Sequence, residues 1–212
     1  MSLQISEVTT FLYRLQYMFE VIENIDRKLF LALNNVHSPA MDVIMWYVSW
    51  GVTWIPLFVF ICCYAWKKKG LRFMIIILVS CSVCVALTDL ISVYGLKETV
   101  QRFRPTHNLE IGHLVQTVNK PDGTEYRGGL YSFVSSHAAN FGGIAFLIFL
   151  FFRQFSKWWY LLFVWLMLIS YSRIYLGVHY PADLIAGAIL GVTIGYFVYK
   201  FSQKFIQPDT IK

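Results

Sequence analysis

Charged residues are withdrawn from long intervals of this chain, and those intervals predict its elements. Residues 43–66 carry no charge, and about 20 apolar residues suffice to cross a bilayer as a helix. Trp46, Tyr47, Trp50 and Trp66 lie toward the ends of that run, where interfacial aromatics belong. A second apolar run opens at Phe73 and passes into a polar extension through Asp89, Lys97 and Arg104. The residue before a proline avoids helical angles, so this helix is expected to stop near Arg104, ahead of Pro105. Three further spans come after it, at about 137–152, 158–176 and 181–199. Ser135 and Ser136 are good N-cap residues for the first of these. Gly177 is a natural stop for the second. In the third, Gly187, Gly191 and Gly195 recur every four residues, a small-residue face that lets another helix approach closely.

The remaining intervals are not spans. Residues 11–33 are apolar on one side but interrupted by Arg14, Glu20, Glu23, Asp26, Arg27 and Lys28, the pattern of an amphipathic helix lying in the interface. His37, Ser38 and Pro39 break it, and Asp42 is expected to cap the first span. Residues 105–136 form one long polar loop. In it Lys120-Pro-Asp-Gly123 is a strong turn signal, and a small β-hairpin is expected around it. The predicted fold class is all-α: an integral membrane helical bundle of about five transmembrane helices plus an N-terminal interfacial amphipathic helix. The expected divisions are residues 1–42 for that helix, 43–204 for the membrane-embedded domain and 205–212 for a cytoplasmic tail.

Composition strengthens the membrane reading. Apolar residues make up 57 % of the 212 and charged ones 14 %, against roughly 25 % charged in soluble domains. The net charge of +6 sits mostly in short loops between apolar runs, so it is a topology signal and no nucleic-acid partner is expected. Cys62, Cys63, Cys81 and Cys84 all fall inside apolar runs and read as small buried hydrophobes. No signal-peptide pattern opens the chain, so the first span is expected to serve as the targeting signal. Five spans place Lys67, Lys68, Lys69, Arg72, Arg153, Lys157, Lys200, Lys204 and Lys212 on one side. By the positive-inside rule that side is cytoplasmic. The N-terminal helix, the long loop and the 173–183 turn then face the periplasm or exterior of an inner (plasma) membrane protein.

Three groups of chemically capable residues fall on that outer side. Arg173, His179 and Asp183 lie in the turn between the last two spans. Pro181 suits a first helical turn, and Asp183 would reach back to one ring nitrogen of His179, leaving the other free to attack. Lys97 and Arg104 are seven residues apart, nearly two helical turns, and so are expected on one helix face, where two cations suit a phosphate. Ser135, Ser136 and His137 stand at a helix start, an anion site with a proton donor at its rim. Each group alone also fits a plain structural role: a loop histidine, cations snorkelling to headgroups, an ordinary N-cap.

Together, in order and internal spacing, the three groups resemble the signature of the type 2 phosphatidic acid phosphatase family, over about residues 25–200. The family's K-x6-R-P is met by Lys97, Arg104 and Pro105, and its S-R-x5-H-x3-D by Ser172, Arg173, His179 and Asp183. Its P-S-G-H is met in part, with Val134 and Ser136 where proline and glycine are usual. The resemblance implies a metal-free, cofactor-free lipid phosphatase working through a phosphohistidine on His179. Asp183 orients that histidine. His137 protonates the leaving oxygen and later activates water. Lys97, Arg104, Arg173, Ser135 and the backbone of Ser136 hold the phosphoryl oxygens. The expected substrate is a lipid phosphate or diphosphate in the membrane. Undecaprenyl diphosphate ranks first by prevalence, then phosphatidylglycerophosphate or lipid A phosphate, and no obligatory protein partner is expected. The rival readings are a lipid phosphotransferase, a vanadate-dependent haloperoxidase and a non-catalytic phospholipid-binding or transport protein.

Overall fold

The computed structural model describes residues 2–206. Its elements are α1 (Ser2–Asn34), α2 (Pro39–Ser49), α3 (Ile55–Asp89, two helical arms broken at Gly70, which has φ 83°), a π-helical stretch Leu90–Lys97, the short α4 (Glu98–Val100), α5 (Ser136–Phe152), α6 (Leu161–Tyr175) and α7 (Pro181–Ser202). α5 packs chiefly on α7, with α3 against both and α6 on its other side. It is apolar all round, and most of its residues are buried. That is the composition of a helix at the centre of a bundle. The outward faces are apolar as well: Phe60, Leu78 and Val79 of α3, Met167 of α6, and Ile185, Ile189 and Phe197 of α7 are all exposed. A bundle apolar both inside and outside is built to be surrounded by lipid. Gly51–Val100 and Pro181–Phe205 are long and apolar enough to cross a membrane, and Ser136–Phe152 is a shorter apolar helix.

The glycine face brings α7 against α5. A Cβ on Gly191 would lie 2.1 Å from the Ala139 carbonyl oxygen, and one on Gly187 would lie 2.5 Å from that of Ser135. This close approach sets the first turns of the two helices side by side. Ser135 N–H then donates to the Asp183 carbonyl at 3.1 Å. At the opposite end of the bundle the core is aromatic, with Phe152 and Trp159 stacked at 4.6 Å.

The structure departs from the sequence reading at several elements. The uncharged run at 43–66 is not one helix: α2 ends at Ser49, Trp50 is extended, and Gly51–Trp54 forms a 3-10 turn before α3. Pro56 sits in the first turn of α3, and its ring and missing N–H forbid a continuous helix through residue 52. Ser38, not Asp42, caps α2, accepting from Met41 N at 3.3 Å. The second helix ends at Val100, because Gln101 takes the left-handed conformation at φ 52°. Around residues 118–126 the turn forms with a single bridge, Asn119 to Glu125, and among the described residues no strand develops. Residues 207–212 of the expected tail lie outside the described residues.

α1 does more than lie on a surface. Phe11, Tyr17, Phe19, Ile22 and Ile25 are exposed, while Asp26, Phe30 and Asn34 toward its C-terminal end are buried. Asn34 Nδ2 donates to the carbonyls of Gln116, Ile174 and Tyr175 at 3.0, 3.0 and 3.1 Å, and its Oδ1 accepts from Gln116 N at 2.8 Å. Phe30 sets its ring edge on Tyr180 at 5.4 Å. The helix is thereby fastened to the segment that carries the candidate site.

Candidate active site

α6 ends in a left-handed glycine. Gly177 has φ 73°, Gly177 N donates to Ile174 O at 2.9 Å, and Val178 N donates to Arg173 O at 3.1 Å. This is the paired-bond C-cap that glycine favours. A side chain there would also strike Val115 and the Gln116 carbonyl, at 2.8 and 2.9 Å. The turn leaves Arg173 on the last turn of α6 and places His179 just beyond it, both buried. α7 then starts with Pro181, and the Asp183 carboxylate accepts from Tyr180 N at 2.9 Å.

The two nitrogens of His179 face different neighbours. Nε2 lies 3.3 Å from Nη1 of Arg104. A guanidinium only donates, so Nε2 is the acceptor and the ring proton belongs on Nδ1. Nδ1 is 3.6 Å from Asp183 Oδ2, too long for a hydrogen bond but on the side the sequence predicts. Burial, and then the positive charges of Arg104, Arg173 and Lys97, hold the imidazole well below its ordinary pKa. His179 is therefore neutral at pH 7, as an attacking nitrogen must be. A ring-carbon NMR signal of His179, assigned by its absence in His179→Ala, is expected to report the neutral form still at pH 6. The unfolded chain takes up this proton near pH 6.5 and the folded chain only lower, so stability falls as pH drops through that window. Titration near 6.5 would remove the cations from its surroundings.

Arg104 is not on a helix face with Lys97, as the spacing predicts, because the helix has ended and Arg104 is extended. The two still reach one site. Arg104 Nε donates to Tyr131 O at 3.1 Å and Nη1 to Val178 O at 3.2 Å. Gly128, at φ 67°, leaves the room the guanidinium needs, since a Cβ there would fall 2.9 Å from Nη1. Burial and the neighbouring Arg173 bring the Arg104 pKa down to about 10, so it remains cationic at neutral pH. Lys97 Nζ donates to Ser136 Oγ at 3.1 Å, which also accepts from Ser92 Oγ at 3.0 Å. The Ser135 hydroxyl accepts from Ala138 N at 3.4 Å as the cap of α5 and keeps its own proton to donate. Arg173 donates to the hydroxyls of Ser49 and, at 3.0 Å, Tyr126. Arg173, His137, Ser49 and Tyr126 line a pocket of about 140 Å³ together with Trp46, Trp50, Gly51 and Leu176, large enough for a phosphoryl group and little more. All eight residues named from the sequence thus meet at one end of the bundle.

The sequence reading missed Arg102. Its Nη1 donates to Asp183 Oδ1 at 2.7 Å, and its Nη2 to Glu23 Oε2 and Asp26 Oδ2, both at 2.8 Å. Its guanidinium lies 4.0 Å over the Tyr180 ring. Burial opposes the charge, but Asp183, Asp26 and Glu23 outweigh it and raise the pKa. Asp26 Oδ1 also accepts from Ala182 N at 2.9 Å, at the start of α7. Two acids that read as the polar face of a surface helix are thus turned inward on the arginine that holds Asp183. Glu23 and Asp26 stand three apart, on one helix face, and Arg102 lies within the Lys97–Arg104 segment; these were the available signals. Asp89 accepts from Asn140 Nδ2 at 2.9 Å.

The PAP2 superfamily model matches residues 74–207. A lipid A 4'-phosphatase of Porphyromonas gingivalis is 34 % identical over 184 residues, covering 85 % of this chain and 74 % of that one. A lipid A 4'-phosphatase of Bacteroides thetaiotaomicron is 34 % identical over 199 residues, covering 91 % and 85 %. In fold, the chain is similar to a transmembrane PAP2-type phosphatidylglycerolphosphate phosphatase from Bacillus subtilis, with TM-score 0.63, 19 % identity and coverage of 88 % and 89 %.

Proposed function

The chain belongs to the PAP2 superfamily and is a membrane lipid phosphatase, and from this premise we propose that it removes a phosphate monoester from a phosphorylated glycolipid of the lipid A kind through a phosphohistidine. The observation that carries the mechanism is the orientation of His179, with Nε2 toward the guanidinium of Arg104 and Nδ1 toward Asp183. Two relatives that match most of the chain are named for lipid A, which moves that substrate ahead of undecaprenyl diphosphate.

In the first step the Nε2 lone pair forms a bond to phosphorus as the phosphorus–oxygen bond to the lipid breaks. His137 gives the departing oxygen a proton. Lys97, Arg104 and Arg173 face the phosphoryl oxygens, where charge gathers in the transition state. In the second step His137 takes a proton from water, the hydroxide oxygen bonds phosphorus, and the phosphorus–nitrogen bond breaks to release phosphate and neutral His179. Asp183 meets the positive charge that the imidazole ring carries while phosphorylated.

Purified protein offered a panel of lipid phosphates is expected to release phosphate fastest from a phosphorylated glucosamine lipid. A preference for prenyl diphosphate would return that substrate to first rank. We place five spans in the membrane, with the site opposite Lys67, Lys68 and Lys69 and facing outward, on the basic excess of the other side. A cysteine at Asp122, in a cysteine-free background, is then expected to be labelled in intact cells by an impermeant thiol reagent. Labelling only after lysis would invert the orientation.

A further inference from the structure

Beside the catalytic pocket lies a second cavity of about 410 Å³, between α2 and the loop at residues 117–121. That size falls within the roughly 300–1,000 Å³ usual for small-molecule sites, and it is well above what one phosphate needs. Trp46 lines both cavities. Its ring stands edge-on to Tyr126 at 5.2 Å, and the Tyr126 hydroxyl accepts from Arg173 at 3.0 Å. A group lying on Trp46 is therefore one side chain away from the arginine of the phosphoryl site.

The walls of this second cavity hold unused hydrogen-bonding capacity. Asp42 turns one oxygen to His37 Nδ1, at 3.0 Å, and to the Tyr175 hydroxyl. Among the described residues its other oxygen takes no hydrogen bond, and neither the Asn119 amide nor the Lys120 ammonium makes one. All three residues line the cavity with Trp46 and Tyr47. An acceptor, an amide and a cation set around aromatic rings match a polyhydroxylated ring with an acidic substituent. The apolar ring faces suit the C–H face of a sugar, and the polar groups suit its hydroxyls. Depth agrees: Tyr47 and Trp50 pair their rings at 6.1 Å, aromatics of the sort found at headgroup level, where the sugar of a glycolipid rests. A prenyl diphosphate carries no sugar ring to lie on these aromatic faces.

We propose that this cavity is a saccharide subsite, which seats a sugar ring of the substrate on Trp46 while the ring's phosphate enters the pocket lined by Arg173 and His137, with Lys120 meeting a second acidic group on the headgroup. The proposal rests on the glycolipid reading above. It is tested with the double variant Asn119→Ala/Lys120→Ala, at loop positions outside the catalytic groups. The substrates are a bisphosphorylated, acylated glucosamine disaccharide and, as a sugar-free control, phosphatidic acid, both in mixed micelles. The kcat/KM for the glycolipid is expected to fall roughly tenfold, mostly through KM, since the lost bonds orient rather than react. That for phosphatidic acid should stay at the wild-type value, which also shows that the variant is folded. An unchanged glycolipid rate, or an equal fall on both substrates, would overturn the subsite alone. A wild-type protein with no preference for the glycolipid over phosphatidic acid would overturn the substrate reading, and the subsite with it.

Discussion

Replacing His179 by alanine is expected to lower turnover of a lipid phosphate by about 10⁴-fold or more, the loss typical when a nucleophile that works as part of a unit is removed. The loss should appear in kcat with the protein still folded. The ring is buried, but it stands outside the hydrophobic clusters that hold the helices together. His137→Ala should also be severely impaired on a lipid alcohol leaving group. It should recover part of its rate on an aryl phosphate, whose leaving oxygen needs no proton. His179→Ala has no such escape, because the bond it makes to phosphorus is lost with every substrate. Near-native activity in His179→Ala would assign the nucleophile elsewhere.

Arg102→Ala is expected to reduce kcat by about 10²-fold with little change in KM, through position rather than contact. Arg102 lies outside the phosphate pocket but fixes Asp183 at 2.7 Å, and Asp183 must stand beside Nδ1 of His179. Without it, Asp183 and Asp26, both buried, and the partly exposed Glu23 lose a common partner. An unpaired buried charge is costly, so the variant should also melt at a lower temperature. Arg102→Lys should restore part of the stability and less of kcat, because one ammonium cannot fork to three carboxylates. Glu23→Gln/Asp26→Asn should give a milder form of the same kcat defect from more than 75 residues away in sequence. A loss of Tm without a loss of kcat per folded molecule would make the network structural only.

What the sequence disclosed was local or periodic. The N-cap at Ser135, the glycine stop at Gly177, the proline start of α7 and the glycine face of that helix rest on residues within a few positions of one another, and each stands where its chemistry places it. The eight candidate site residues could be named because their order and spacing carry a family signature. Arg102 with Glu23 and Asp26 was not. Its meaning comes from joining residues 23, 26, 102 and 183, and no local rule tells an amphipathic helix that its acids face protein rather than water. The Lys97–Arg104 pair shows the converse error. Helical spacing predicts a shared face, whereas the chain leaves the α-helix for a π-helical stretch and then a left-handed Gln101, and the two cations converge by a turn. The break at residues 50–54 was hidden by composition, since hydropathy does not register the geometry that Pro56 demands.

The mechanism is tested most directly by trapping the phosphoenzyme. Protein mixed with a lipid phosphate labelled with ³²P at the phosphoryl group, quenched within the first turnover and digested, should yield one labelled peptide. The account predicts that the label is stable to alkali, labile to acid and located on His179, and that it is absent from His179→Ala. Label on a serine or aspartate, or a His179→Ala protein that still forms the phosphoenzyme, would contradict it.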